Sequence, residues 1–120
     1  MDLSFSNIPP KMSSSPDARV AIVTGAAQGI GKAIALRLAV DGYNVAISDL
    51  PSKSDQLHSV VFEIETKGQR AIAVSADVSI EQDIQNLIQT TLSQLNGFDL
   101  MVANAGVPHL GSILDSEIDN

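Results

Sequence analysis

The chain has 120 residues, 44 % of them hydrophobic and 18 % charged, with a net charge of −7; this is the profile of one globular domain with a core of its own. The acidic balance argues against nucleic acid or an anionic membrane surface as a partner, and no apolar run reaches the roughly 20 residues of a membrane span. The absence of cysteine excludes disulfides, thiolate metal sites and a cysteine nucleophile, and His58 and His109 have no metal-ligand spacing.

Residues 1–17, MDLSFSNIPPKMSSSPD, lack the basic and apolar regions of a secretory signal and the arginines of a mitochondrial presequence. Their Ser and Pro content predicts a flexible tail, and a cytoplasmic protein is the expectation. From residue 18 onward the pattern becomes regular. The segments 19–24 (RVAIVT), 44–48 (NVAIS), 71–76 (AIAVSA) and 99–103 (DLMVA) are continuously apolar or small. Such runs predict parallel strands covered on both faces.

Three helical stretches lie between them. In 29–40 the expected apolar stripe is Ile30, Ala33, Ile34 and Leu38, with the stem of Arg37 along its edge. In 54–67 it is Leu57, Val60, Val61 and Ile64. In 80–95 it is Ile84, Leu87, Ile88, Thr91, Leu92 and Leu95, and Ser79 with Gln82 fits a capping box. Gly42, Gly68 and Gly97 follow the helices, as expected for left-handed helix ends. Alternating strands and helices predict an α/β fold with an open parallel sheet. A Rossmann-type, three-layer arrangement would order the four strands 3-2-1-4, with the first two helices on one face and the third on the other.

Thr24-Gly25-Ala26-Ala27-Gln28-Gly29-Ile30-Gly31 follows the first strand and opens the first helix. Gly25 permits a sharp turn, Gly29 lets backbone approach a pyrophosphate, and Gly31 permits close helix–strand packing. Gln28, Gly29, Ile30 and Gly31 begin the helix, whose first-turn N–H groups then face the phosphates. Strand before and helix after is the context that gives such a glycine cluster meaning. Asp49 ends the second strand, eighteen residues after Gly31. An acid there can accept hydrogen bonds from the adenosine ribose and repels a 2′-phosphate. Neither Gln28 nor Leu50 is basic, and Lys53 is the nearby cation; NAD is expected over NADP. A helix cap or loop aspartate is the alternative for Asp49. Asp77-Val78 follows the third strand, where an acid can receive the adenine amino group and Val78 can pack on the ring; a loop acid is the alternative. Asn104-Ala105-Gly106 follows the fourth strand. Its small residues let backbone pass close to a ribose and Asn104 can tie neighbouring strands; a simple turn is the alternative.

Together these residues resemble the short-chain dehydrogenase/reductase family. TGAAQGIG is similar to its Thr-Gly-x-x-x-Gly-x-Gly turn, Asp49 to its second-strand acid, Asp77-Val78 to its adenine contact and Asn104-Ala105-Gly106 to its Asn-Ala-Gly motif. Ala103 stands where many members have a second Asn. The resemblance runs from about Arg19 to about Val107, and TGAAQGIGKAIALRLAVDGYNVAISDL looks most like the acetoin/diacetyl reductase branch.

The resemblance implies that 18–120 is a partial NAD(P)-binding domain, part of an oxidoreductase that moves hydride between nicotinamide and a carbonyl or alcohol. The family's catalytic Ser and Tyr-x-x-x-Lys come after a fifth strand, and its catalytic Asn on the helix before that. Tyr43 is the only tyrosine, and Ile47 stands four residues on. Ser112 comes too early, His109 reads as a loop histidine and Asn120 has no motif around it, so no catalytic residue is assigned. A non-enzymatic nucleotide-binding or interaction module, or a nonfunctional fragment, stays open beside an oxidoreductase shortened at its C-terminal side. The fourth strand, apolar and without a fifth beside it, predicts self-association through an exposed edge.

Overall fold

The structure is a computed structural model and describes residues 18–105. The expected tail 1–17, Gly106, His109, Ser112 and Asn120 lie outside the described residues. The elements are β1 (Val20–Thr24), α1 (Gly29–Val40), β2 (Asn44–Asp49), a 3₁₀ turn (Pro51–Lys53), α2 (Ser54–Glu65), β3 (Ala71–Ser75), α3 (Glu81–Leu95) and β4 (Leu100–Val102). Element bounds differ from those read in sequence by one or two residues. Arg19, Ala76, Asp99 and Ala103 fall outside the strands, and Asp49 falls inside one.

All four strands are parallel in the order β3-β2-β1-β4. β1 sits between β2 and β4, with Val23 opposite both Ile47 and Val102, so its five residues are all buried. Strand alternation divides the core in two. Val23, Val45 and Ile47 pack with Ala35, Ala39, Leu57, Val60 and Ile64, which places α1 and α2 on one face. Val20, Ile22, Ala46 and Val74 pack with Leu87 and Leu95, which places α3 on the other. Each fully buried Ile or Leu stabilises this arrangement by about 1.5–3 kcal/mol. The Rossmann-type three-layer arrangement follows directly from two-faced strands and right-handed crossovers.

The apolar stripe expected for α1 is wrong. Ile30 is 73 % exposed, and Ala33 and Arg37 are exposed as well. The buried seam is Gly31, Ala35 and Ala39, spaced four apart, with Ile34 and Leu38 only half-buried beside it. The helix lies so close to the sheet that only the smallest residues fit beneath it. In α2 the expected stripe stands, with Val61 at its half-buried border. In α3, Leu92 is exposed, while Thr91 is buried and its Oγ1 donates to the Leu87 carbonyl at 2.7 Å. α3 also ends differently from expectation: Asn96, with φ +63°, adopts the left-handed conformation assigned to Gly97. Asn tolerates that region because its short amide can bond locally.

Tyr43 precedes β2 at the N-terminal end of the sheet. It is half-buried against the α1–α2 core, and its N–H donates to the Leu38 carbonyl. No helix among the described residues is long and apolar enough to cross a membrane.

Candidate functional site

The motif residues meet at the C-terminal ends of the strands. Gly25 (φ +65°) and Gly29 (φ +61°) take left-handed conformations that permit the turn from β1 into α1. A Cβ at Gly29 would meet nothing within 4 Å, so the start of the helix faces open space. Gly31 has the opposite surroundings. A Cβ there would collide with the Gly25 carbonyl oxygen and lie 2.7 Å from Asn104 Nδ2. Its role is close packing, as the sequence implied, but against the turn's own carbonyl and the strand-four loop.

Asp49 organises this turn. Its Oδ2 accepts from the Ala27 N–H at 3.1 Å and its Oδ1 from the Leu50 N–H at 2.9 Å. The Ser48 carbonyl accepts from the Ala26 N–H at 3.1 Å. Each carboxylate oxygen retains accepting capacity beyond its one backbone bond. Lys53 reaches back over the 3₁₀ turn and donates from Nζ to Gln28 Oε1 at 3.3 Å.

Thr24 and Asn104 lock the two sides together. Thr24 Oγ1 accepts from the N–H groups of Asn104 at 3.1 Å and Ala105 at 3.2 Å, and donates to the Val102 carbonyl at 3.4 Å. Asn104 Nδ2 donates to the Gly25 carbonyl at 3.2 Å. Asn104 therefore ties β4 to the turn after β1, which a simple turn residue would not do.

Asp77 and Val78 occupy the loop between β3 and α3. Asp77 Oδ1 accepts from the Ser79 Oγ–H at 2.6 Å and from the Ser79 N–H at 2.9 Å. These two bonds, the hydroxyl first, hold the Asp77 carboxyl below its ordinary value, so it stays ionised at neutral pH. The capping box expected of Ser79 and Gln82 is absent. The N-cap of α3 is Ile80, whose side chain has no atom to accept a backbone N–H, and Ser79 lies one residue before it with its hydroxyl donating to Asp77. Asp83, in the first turn of α3, instead accepts from the Asp77 N–H at 2.9 Å. An acid in a first helical turn was the available signal for this role. Val78 is buried beside Ile84.

Gly25, Asp49, Asp77, Val78 and Ala105 border one cavity of about 440 Å³, and Ser48 stands in its wall. Gln28, Gly29 and Ile30 are exposed at the start of α1. The cavity lies where β1 has β2 on one side and β4 on the other, the point at which strand order reverses and open α/β sheets hold ligands. Glycines with open space at a helix start, and carboxylates at the ends of β2 and β3, suit an adenosine diphosphate moiety. Ser48 was missed in the sequence because it reads as the last residue of an ordinary strand. A hydroxyl inside an otherwise apolar two-faced strand was the signal.

The family model described as short chain dehydrogenase matches residues 19–120. A short-chain dehydrogenase/reductase of Hericium erinaceus, eriH, is 45 % identical over 102 residues, covering 83 % of this chain and 40 % of that protein. Among solved structures, a blue fluorescent protein from a metagenomic library in complex with NADPH aligns with TM-score 0.71 and 38 % identity. It covers 74 % of this chain and 36 % of the other. A short chain dehydrogenase of Mycobacterium paratuberculosis bound to NAD aligns with TM-score 0.68 and 33 % identity, over 74 % of this chain and 37 % of the other. The chain spans about 40 % of the length of the curated relatives it matches.

Proposed function

This chain belongs to the short-chain dehydrogenase family, and from that premise we propose that its cavity is the adenosine side of a nicotinamide dinucleotide site. The observation that carries the reading is the convergence of Gly25, Asp49, Asp77, Val78 and Ala105 on one cavity at the strand-order reversal. The first turn of α1, with Gln28, Gly29, Ile30 and Gly31, would hold the pyrophosphate through backbone N–H groups. Asp49 would hold the ribose, Asp77 and Val78 the adenine, and Asn104, Ala105 and Gly106 the passage toward the second ribose. When bound, the dinucleotide supplies hydride to a carbonyl carbon or takes it from an alcohol. The activity of the whole protein is proposed as that oxidoreduction, in a cytoplasmic enzyme. Calorimetry of the chain with NAD, NADP and AMP tests the reading: AMP should retain a large part of the binding, and no binding of any of the three overturns it.

NAD is proposed as the preferred cofactor. The Asp49 carboxylate stands at the end of β2, Gln28 and Leu50 carry no charge, and Lys53 is engaged by Gln28 Oε1. Asp49→Asn tests this better than an alanine, because an amide oxygen can still accept a turn N–H. The variant should narrow the NAD/NADP affinity ratio by about tenfold, on the order of one close like-charge contact. Tighter binding of NADP than NAD by the unaltered chain would reverse the assignment of Asp49.

Self-association through β4 is proposed as well. Among the described residues β4 pairs only with β1, and Leu100 is 37 % exposed on it. An unpaired edge beside apolar side chains is a template for another copy. Met101 packs beneath α3 with the Val78–Ile84 and Leu87 clusters, so Met101→Lys would damage the core. Leu100→Lys blunts the edge at less cost. Sedimentation of the 120-residue chain should show concentration-dependent association, strengthened by salt that screens the net charge of −7 and reduced in Leu100→Lys. A monomer at high concentration and high salt overturns the proposal.

A further inference from the structure

Ser48 and Thr24 lie opposite each other in the β1–β2 register, and both are fully buried. Their hydroxyls are treated differently. Thr24 Oγ1 accepts two N–H groups and donates to a carbonyl. Ser48 Oγ has no hydrogen-bond partner among the described residues. Leaving a buried hydroxyl unsatisfied is costly, and an alanine at the same place would avoid the cost. Strand alternation puts Ser48 on the same face as Ala46, the face covered by α3. The loop from β3 into α3 crosses that face, and its residues Ala76, Asp77 and Val78 border the cavity that Ser48 helps to wall. The unsatisfied hydroxyl and the cavity therefore belong to one place.

Resting on the dinucleotide reading above, we infer that Ser48 is a further binding residue of this site, its hydroxyl completing its hydrogen bonding on the purine of an adenosine nucleotide. A hydroxyl both donates and accepts, and the purine edge offers ring nitrogens and an amino group. Val78 supplies the apolar contact and Asp77 the charge; Ser48 supplies a neutral partner from the sheet itself.

The inference predicts opposite movements in two measurements on one variant. Ser48→Ala in the 120-residue chain should weaken AMP binding by about three- to tenfold, the range of one neutral hydrogen bond. The same variant without nucleotide should melt a few degrees higher, because a buried unsatisfied hydroxyl is gone. A structural hydroxyl would move stability the other way. AMP affinity unchanged in Ser48→Ala, or a lower melting temperature of the nucleotide-free variant, overturns the role of Ser48 while leaving the site itself standing. Absence of AMP binding by the unaltered chain overturns both readings together.

Discussion

Gly31→Ala is expected to abolish nucleotide binding and to lower the thermal midpoint by on the order of 10 °C. The added methyl would collide with the Gly25 carbonyl oxygen and crowd Asn104 Nδ2. Neither neighbour can yield cheaply. The first is backbone in a turn held by Asp49 through Ala27, and the second is an amide that donates to that same Gly25 carbonyl. Moving α1 outward would instead lift the Ala35 and Ala39 seam off the sheet. In an unconstrained helix the change from Gly to Ala would stabilise by about 1 kcal/mol. Overpacking against fixed groups costs about 1–3 kcal/mol or more, and here it also separates the strand-four loop from the glycine turn. Overpacking outweighs propensity, and a net loss of about 2 kcal/mol corresponds to roughly 8–16 °C in a domain of this size. Gly29→Ala is the comparison for stability alone, because Gly29 itself belongs to the proposed pyrophosphate turn. Its methyl meets nothing within 4 Å, and its cost is the left-handed backbone alone, about 1–2 kcal/mol. Thermal melts of both variants, with AMP titrations of Gly31→Ala against the parent, decide it. A Gly31→Ala protein as stable as the parent would show that the helix has room to shift.

The architecture was readable because two physical signals coincide in this chain. Runs such as VAIVT and NVAIS are apolar at successive positions, which only strands covered on both faces require, and each is followed by a helix-length segment. From these, strand order and helix sides follow by handedness. The seam of α1 was hidden because hydropathy marks large apolar residues, whereas contact distance here selects Gly31, Ala35 and Ala39. Ile30 is apolar yet exposed for the same reason: it lies off that seam. The Ser79 cap failed because the helix begins one residue later than the spacing implied, with Ile80 at the N-cap, and the Ser79 hydroxyl donates to the charged Asp77 carboxylate outside the helix. In the candidate site, the positions of Asp49, Asp77 and Asn104 at the strand ends were legible from spacing after strands. Their bonds to Ala27, Ser79 and Gly25 were not, because spacing along a chain says nothing of which backbone group lies opposite.

No turnover is expected from the 120-residue polypeptide when NADH is offered with diketones, ketones and aldehydes, even where it binds the dinucleotide. Carbonyl reduction needs a proton for the developing alkoxide, delivered by a group within hydrogen-bonding reach. The cavity holds two carboxylates. Asp77 is kept ionised by Ser79 and has no proton to give near neutral pH. Asp49 faces the turn, where its two oxygens accept the backbone N–H groups of Ala27 and Leu50. The one phenol, Tyr43, stands before β2, half-buried on the α1–α2 core at the other end of the sheet, and four residues on is the buried Ile47. It cannot reach the cavity without taking β2 apart. Losing a placed acid lowers the rate by about 10²–10⁴ on that account alone, before any loss in orienting the substrate. Stopped-time assays of NADH absorbance against heat-inactivated protein, run where calorimetry has shown the site to be filled, read the result. A longer polypeptide from the same reading frame carrying Tyr-x-x-x-Lys should turn over in the identical assay. Binding without turnover in both would favour a nucleotide-binding module over an oxidoreductase. Turnover by the 120-residue chain that persists in Asp49→Asn and in Asp77→Asn would reveal an acid that neither Tyr43 nor the two carboxylates account for.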